Sequence, residues 1–150
     1  MRTIRTVLTG TSVVGLLTTG LLLGAPAAHA SGPGSCVGGN GATGKGGDGC
    51  VYYHPGEVGG YYGNAYTINY QGHTFGGCNN GSCAGDGQPV RNNGGSVANW
   101  DYACTLTVWV YPLNSQNNPS QTFGPWSAGD LNSKLRNNNA SQTWSGPGAC

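Results

Sequence analysis

Charge is what this sequence has least of. Only 7% of its 150 residues are Asp, Glu, Lys or Arg, and the formal net charge is +1. Without a basic field to neutralise phosphates, nucleic acid is not an expected partner. There is no acidic or basic tail. Ala, Leu, Glu and Lys are scarce in the second half while Gly and Asn are abundant, which excludes a long helical protein. Catalytic groups are few as well. No carboxylates are paired for acid–base work, and no Gly-x-Ser-x-Gly nucleophile elbow is present. His54 precedes Pro55, and His73 lies in Gln71-Gly72-His73; both read as turn residues. The chain is therefore not expected to be an enzyme.

What is present is Gly and Pro, 29 and 8 residues, together with 8 Tyr, 4 Trp and 2 Phe. So much Gly and Pro would suit a low-complexity coil. The aromatics argue instead for a small β-protein with many turns, because disordered chains lack such residues.

Residues 1–30 read as a secretory signal peptide. Arg2 and Arg5 precede an apolar stretch from Val7 to Gly24, which ends at the small-residue site Ala28-His29-Ala30. Cleavage there would leave Lys45, Arg91, Lys134 and Arg136 against Asp48, Glu57, Asp86, Asp101 and Asp130, reversing the sign of the net charge. The protein is expected to be secreted, extracellular and monomeric, with no membrane partner. Residues 31–49 read as a Gly-rich N-terminal arm with nothing to bury, and 50–150 as a single domain.

All six cysteines, Cys36, Cys50, Cys78, Cys83, Cys104 and Cys150, follow the signal segment. An even number in a small exported chain reads as three disulfides, for which 15 pairings exist. Cys78 with Cys83 would clip the turn Asn79-Asn80-Gly81-Ser82. Cys36 with Cys50 would close the Gly-rich segment, and Cys104 with Cys150 would tie down the C-terminus. With no Cys-x2-Cys pair, zinc ligation is the weaker reading.

Short strands are expected at Cys50–His54, Gly60–Tyr62, Tyr66–Tyr70, Cys104–Tyr111 and Gln121–Phe123, and a further one at Leu131–Leu135. Cys104–Tyr111 carries the clearest alternation. Leu106, Val108 and Val110 face one side; Thr105, Thr107, Trp109 and Tyr111 face the other. Gly76–Gln88 reads as a loop.

The chain also repeats itself. Val90-Arg91-Asn92-Asn93-Gly94-Gly95-Ser96 matches Leu135-Arg136-Asn137-Asn138-Asn139-Ala140-Ser141, and a Trp follows each, at 100 and 144. Upstream, Val51–Pro55 resembles Val108–Pro112. Two halves, about 50–100 and 104–145, suggest two Greek keys sharing one core.

Three features resemble the βγ-crystallin-type secreted proteins of actinobacteria, the family of the Streptomyces metalloproteinase inhibitor. They are the Cys50-Val51-Tyr52-Tyr53 entry strand, the hairpin pattern Tyr53-x4-Val58-x-Gly60, and the two Asn-Asn-x-x-Ser motifs. Val97 and Gln142 stand where the crystallin motif has its second Ser. The resemblance implies an all-β, disulfide-stabilised, βγ-crystallin-like sandwich of two Greek-key motifs. It also implies inhibition of an extracellular peptidase. The candidate inhibitory loop is Asn79, Asn80, Gly81 and Ser82; Leu113–Ser120 is a second candidate.

No cofactor is required. Calcium is an optional ligand implied by the crystallin motif, through Asn92, Asn93, Ser96, Asn137, Asn138 and Ser141. Calcium sites usually include carboxylates, and the same residues serve equally to cap turns. Carbohydrate binding is a further reading. Trp109 and Tyr111, on the face opposite the aliphatic stripe, are its candidate exposed aromatics, with Tyr61, Tyr62, Trp126 and Trp144 as further flat rings.

Overall fold

The computed structural model describes residues 32–39, 46–115 and 119–147. The expected signal peptide, Cys150 and part of the Leu113–Ser120 loop lie outside them. The described residues form nine strands: β1 Gly32–Pro33, β2 Gly49–His54, β3 Val58–Asn64, β4 Ile68–Asn69, β5 Ser96–Asn99, β6 Thr105–Trp109, β7 Ser120–Phe123, β8 Ser127–Asp130 and β9 Ser141–Ser145. The only helical element among the described residues is a 3-10 turn at Leu113–Ser115.

The strands form two sheets, ordered β1-β3-β2-β5-β8 and β4-β9-β6-β7. Every strand pairing among the described residues is antiparallel. Without β1, the two orders are the same when chain halves are compared. In each half the first two strands make a hairpin, the fourth strand returns beside the first, and the third crosses to the other sheet. Thus β4 from the first half completes the second sheet, and β8 from the second half completes the first. Each sheet therefore needs a strand from the other half, so the halves share one core.

The alternation in β6 places Leu106 and Val108 in that core. They pack with Val51, Tyr62, Tyr70, Phe75, Val90, Val97, Phe123, Leu131 and Leu135 between the sheets. Cys50, Tyr52 and Ala98 lie on the other face of the first sheet and form a separate buried cluster with Cys36, Tyr61 and Trp100. The N-terminal segment covers this outer face. Within the described part of residues 31–49, β1 extends the sheet, Asp48 is buried, and the Val37 N–H donates to the Asp48 carboxylate at 2.9 Å. The pleat dictates this arrangement, since a strand with both faces apolar must be covered twice.

Two expectations need correction, and strands β5, β8 and β9 were not expected. Leu131–Leu135 is a turn, not a strand; its two leucines are fully buried because the turn folds them back under the sheets. The strand expected over Tyr66–Tyr70 shortens to Ile68–Asn69, with Tyr66 left exposed. Strands β5, β8 and β9 carry too little alternating hydrophobicity to be read from sequence. Their Ser96, Asn99, Ser141 and Gln142 are buried polar residues whose hydrogen bonds, not apolar surface, hold them in place.

Candidate functional site

The two Asn-Asn-x-x-Ser segments meet at the centre of the molecule. Asn92 and Asn137 adopt equivalent left-handed backbones, with φ of 64° and 56°, a conformation Asn tolerates well. The Asn92 N–H donates to the Asn139 carbonyl at 2.8 Å, and the Asn137 N–H donates to the Gly94 carbonyl at 2.9 Å. Asn93 Nδ2 donates to the Pro89 carbonyl at 2.9 Å, as Asn138 Nδ2 does to Lys134 at 3.2 Å. The Ser96 hydroxyl donates to His54 O and the Ser141 hydroxyl to Tyr111 O, each at 2.7 Å. Ser96 Oγ also accepts from Glu57 N–H at 2.9 Å. These oxygens tie each turn to the preceding hairpin. No three His, Cys, Asp or Glu side chains gather into a metal-binding group among the described residues.

An exposed, disulfide-closed ridge stands at the His54 end of the first sheet. Asn79 and Ser82 exchange backbone hydrogen bonds at 3.0 and 3.1 Å, closing a two-residue turn. Its central residues, Asn80 and Gly81, have φ of 48° and 76°, the Asn-Gly signature of a tight type I′ hairpin. Cys78 and Cys83 are disulfide-bonded across it, and Cys36 to Cys50. Cys104 is also disulfide-bonded; Cys150, its expected partner, lies outside the described residues. The turn leans on the β2–β3 hairpin. Asn79 and Asn80 side-chain amides donate to the Glu57 carbonyl, and Gly59 N–H donates to Asn79 O at 3.2 Å. Gly56 N–H is held by Asp130 Oδ1 at 2.8 Å. The candidate loop is thus a tight turn and not an extended strand.

A cleft of about 470 Å³ lies elsewhere, between Asn69, Gln71, Arg91, Pro112, Leu113 and Ala140. Arg91 is held there through Gln71 Oε1 at 2.7 Å.

The aromatics divide differently from expectation. Trp109 is half-buried, and its indole N–H donates to Thr143 Oγ1 at 2.8 Å. Tyr111 is exposed. Tyr62 is buried, with its hydroxyl 3.0 Å from His73 Nδ1. Burial raises the phenol pKa of Tyr52, Tyr62 and, most strongly, Tyr70. The exposed ring group is instead Tyr102 stacked on Trp126, with Trp100 edge-on to Trp126. Tyr102 was missed because nothing in Trp100-Asp101-Tyr102 signals exposure. The buried Asp101 beneath it organises the loop: Oδ1 accepts Ala103 and Cys104 N–H, each at 2.7 Å, and Oδ2 accepts Gly46 N–H at 2.8 Å.

No protein-family model and no curated protein matches the sequence. A solved structure described as "Evolution of the eye lens beta-gamma-crystallin domain fold" superposes with a TM-score of 0.52 and 13% sequence identity, covering 75% of this chain and 95% of that one. The fold is therefore of the βγ-crystallin type.

Proposed function

We propose that this disulfide-braced, βγ-crystallin-like protein is a secreted binding module, not a catalyst, and that it inhibits an extracellular peptidase. One observation carries the reading. The exposed turn Asn79–Ser82 is closed by a disulfide and bonded through Asn79 and Asn80 to the adjoining β2–β3 hairpin. A ridge fixed before binding avoids the ordering cost that a mobile loop would pay. Protease–inhibitor pairs reach high affinity at about 800 Å² per partner, so a small fixed ridge suits this role. Because the tip is a tight turn, it would plug a substrate cleft as a wedge and would not lie in it like an extended substrate. Disulfide bonding suits an oxidising, extracellular compartment.

The test is titration of the oxidised protein against metallo-, serine and cysteine peptidases. Inhibition of one class is expected at micromolar concentration or below. The Cys78→Ser/Cys83→Ser double variant should fold and inhibit at least ten-fold more weakly. No inhibition in any class overturns the reading.

A further inference from the structure

We propose that the cleft beside Arg91 binds a carboxylate, supplied by the C-terminal residue of a peptide. The internal repeat points to it. Arg91 and Arg136 hold the same place in the two Arg-Asn-Asn segments. Asn69 and Asp130 are equivalent too: Asn69 pairs with Ser141 in the second sheet as Asp130 pairs with Ser96 in the first. So are Leu113 and Gly56, which follow Pro112 and Pro55 in the loops of the two hairpins.

Both halves use one side-chain oxygen in the same way. Asp130 Oδ1 accepts the Gly56 N–H at 2.8 Å, and Asn69 Oδ1 accepts the Leu113 N–H at 2.8 Å. The second atom differs. Asp130 Oδ2 lies 3.6 Å from Arg136 Nη2. In Asn69 the second atom is Nδ2, a donor where the twin has an acceptor. All five acidic side chains of the sequence belong to the described residues, and none forms an ion pair with Arg91. Arg91 Nη1 donates to Gln71 Oε1 at 2.7 Å, and Arg91 Nε is buried without a partner. Arg91 Nη2 and Asn69 Nδ2 have no acceptor among the described residues. One half thus closes its ion pair internally. The other leaves two donors at an open cleft, short of the one carboxylate that its twin carries.

The rest of the cleft selects the source of that carboxylate. Its volume of about 470 Å³ lies within the range of small-molecule sites, about 300–1,000 Å³. The guanidinium fork matches a planar carboxylate and bonds it with charge assistance. Pro112, Leu113 and Ala140 add an aliphatic wall, and Asn69 and Gln71 add amides. An acylated terminal residue has that same set: a carboxylate, a peptide amide and an aliphatic side chain. An acidic sugar would set hydroxyls against the aliphatic wall, whose side chains cannot bond them. Affinity should be modest, with a Kd of about 1 mM, because water screens an exposed ion pair. The cleft adjoins the β6–β7 hairpin and the Asn79–Ser82 ridge adjoins β2–β3, so the proposal does not rest on peptidase inhibition.

The experiment is a nuclear magnetic resonance titration of the oxidised, ¹⁵N-labelled protein with N-acetyl-leucine, N-acetyl-leucine amide and glucuronate. Saturable shifts of the Asn69, Arg91 and Leu113 resonances are expected with N-acetyl-leucine. The uncharged amide should bind at least ten-fold more weakly, and so should glucuronate. Asn69→Asp gives this half the carboxylate of its twin and keeps an oxygen for the Leu113 N–H. It should fold normally, pair with Arg91 and weaken N-acetyl-leucine binding ten-fold or more. Arg91→Gln should weaken it as much. Three results overturn the proposal: no saturable shift at these residues, equal binding of the uncharged amide, or binding that survives Asn69→Asp. Tighter binding of glucuronate than of N-acetyl-leucine overturns the peptide source and assigns the carboxylate to an acidic sugar.

Discussion

Gly94 and Asn139 occupy equivalent places in the two central turns, and only Asn139 has room for a side chain. Asn139 Oδ1 accepts the Gly94 N–H at 2.8 Å, and Asn139 Nδ2 donates to the Val90 carbonyl at 3.0 Å. A Cβ built on Gly94 would stand 2.9 Å from Asn139 Oδ1 and 2.9 Å from Val51 Cγ1. The repeat is symmetric in backbone and asymmetric in side chains, because one volume between the turns cannot hold two of them.

This predicts coupled effects on stability. Gly94→Ala should cost about 1–3 kcal/mol through overpacking. Asn139→Ala should cost a similar ~1–3 kcal/mol by leaving Gly94 N–H and Val90 O buried without partners. The double variant should cost less than the sum, since removing the amide frees the space the new methyl needs. Urea denaturation of the three variants measures this; strict additivity would show that the two side chains do not compete for one space.

Alkaline pH should unfold the protein. Burial raises the Tyr70 phenol well above its ordinary value of 10.0, and burial also raises Tyr62 and Tyr52. Above about pH 10 the unfolded chain has lost protons that the folded chain still holds. Stability is therefore full below that pH and declines as pH rises beyond it. Tyr70 donates to Gln142 Oε1 at 3.0 Å. Tyr70→Phe should lose about 1 kcal/mol at neutral pH, because the buried Gln142 oxygen loses its donor. The same variant should show a shallower decline above pH 10. Melting temperatures from pH 7 to 11.5 test both slopes.

Calcium should leave the melting temperature unchanged. The Ser96 hydroxyl already donates to His54 O and accepts from Glu57 N–H, and the Gly94 and Asn139 carbonyls each accept a backbone N–H from the opposite turn. No carboxylate stands in either motif to offset their loss. Melting in millimolar calcium and in chelator should coincide. A rise in calcium would mean that the native state binds it, and the serines would then be ligands.

Much of the architecture was legible in the residues. Leu106 and Val108 alternate with Thr105 and Thr107, and period-two alternation on one buried face leaves little freedom in how β6 sits. The matched Asn-Asn-x-x-Ser segments announced two related halves before their strands were seen. Cys36 with Cys50 and Cys78 with Cys83 pair as their spacing suggested. Less legible were β5 and β9, because burial through hydrogen bonds leaves no hydrophobic pattern, and β8, whose Ser127-Ala128-Gly129-Asp130 is an edge strand with no buried side chain.

The sequence by itself determined a β-rich, disulfide-braced chain of low charge in two similar halves, since alternation, cysteine count and repetition are local properties. Only the tertiary structure decided that the third strand of each half belongs to the other sheet. It also decided that Gly94 yields its space to Asn139, and that Tyr102 and Trp126 meet in solvent while Trp109 is half-buried. Each of these depends on which residues distant in sequence compete for the same volume or share the same hydrogen-bonding groups, and that is settled only when the chain packs.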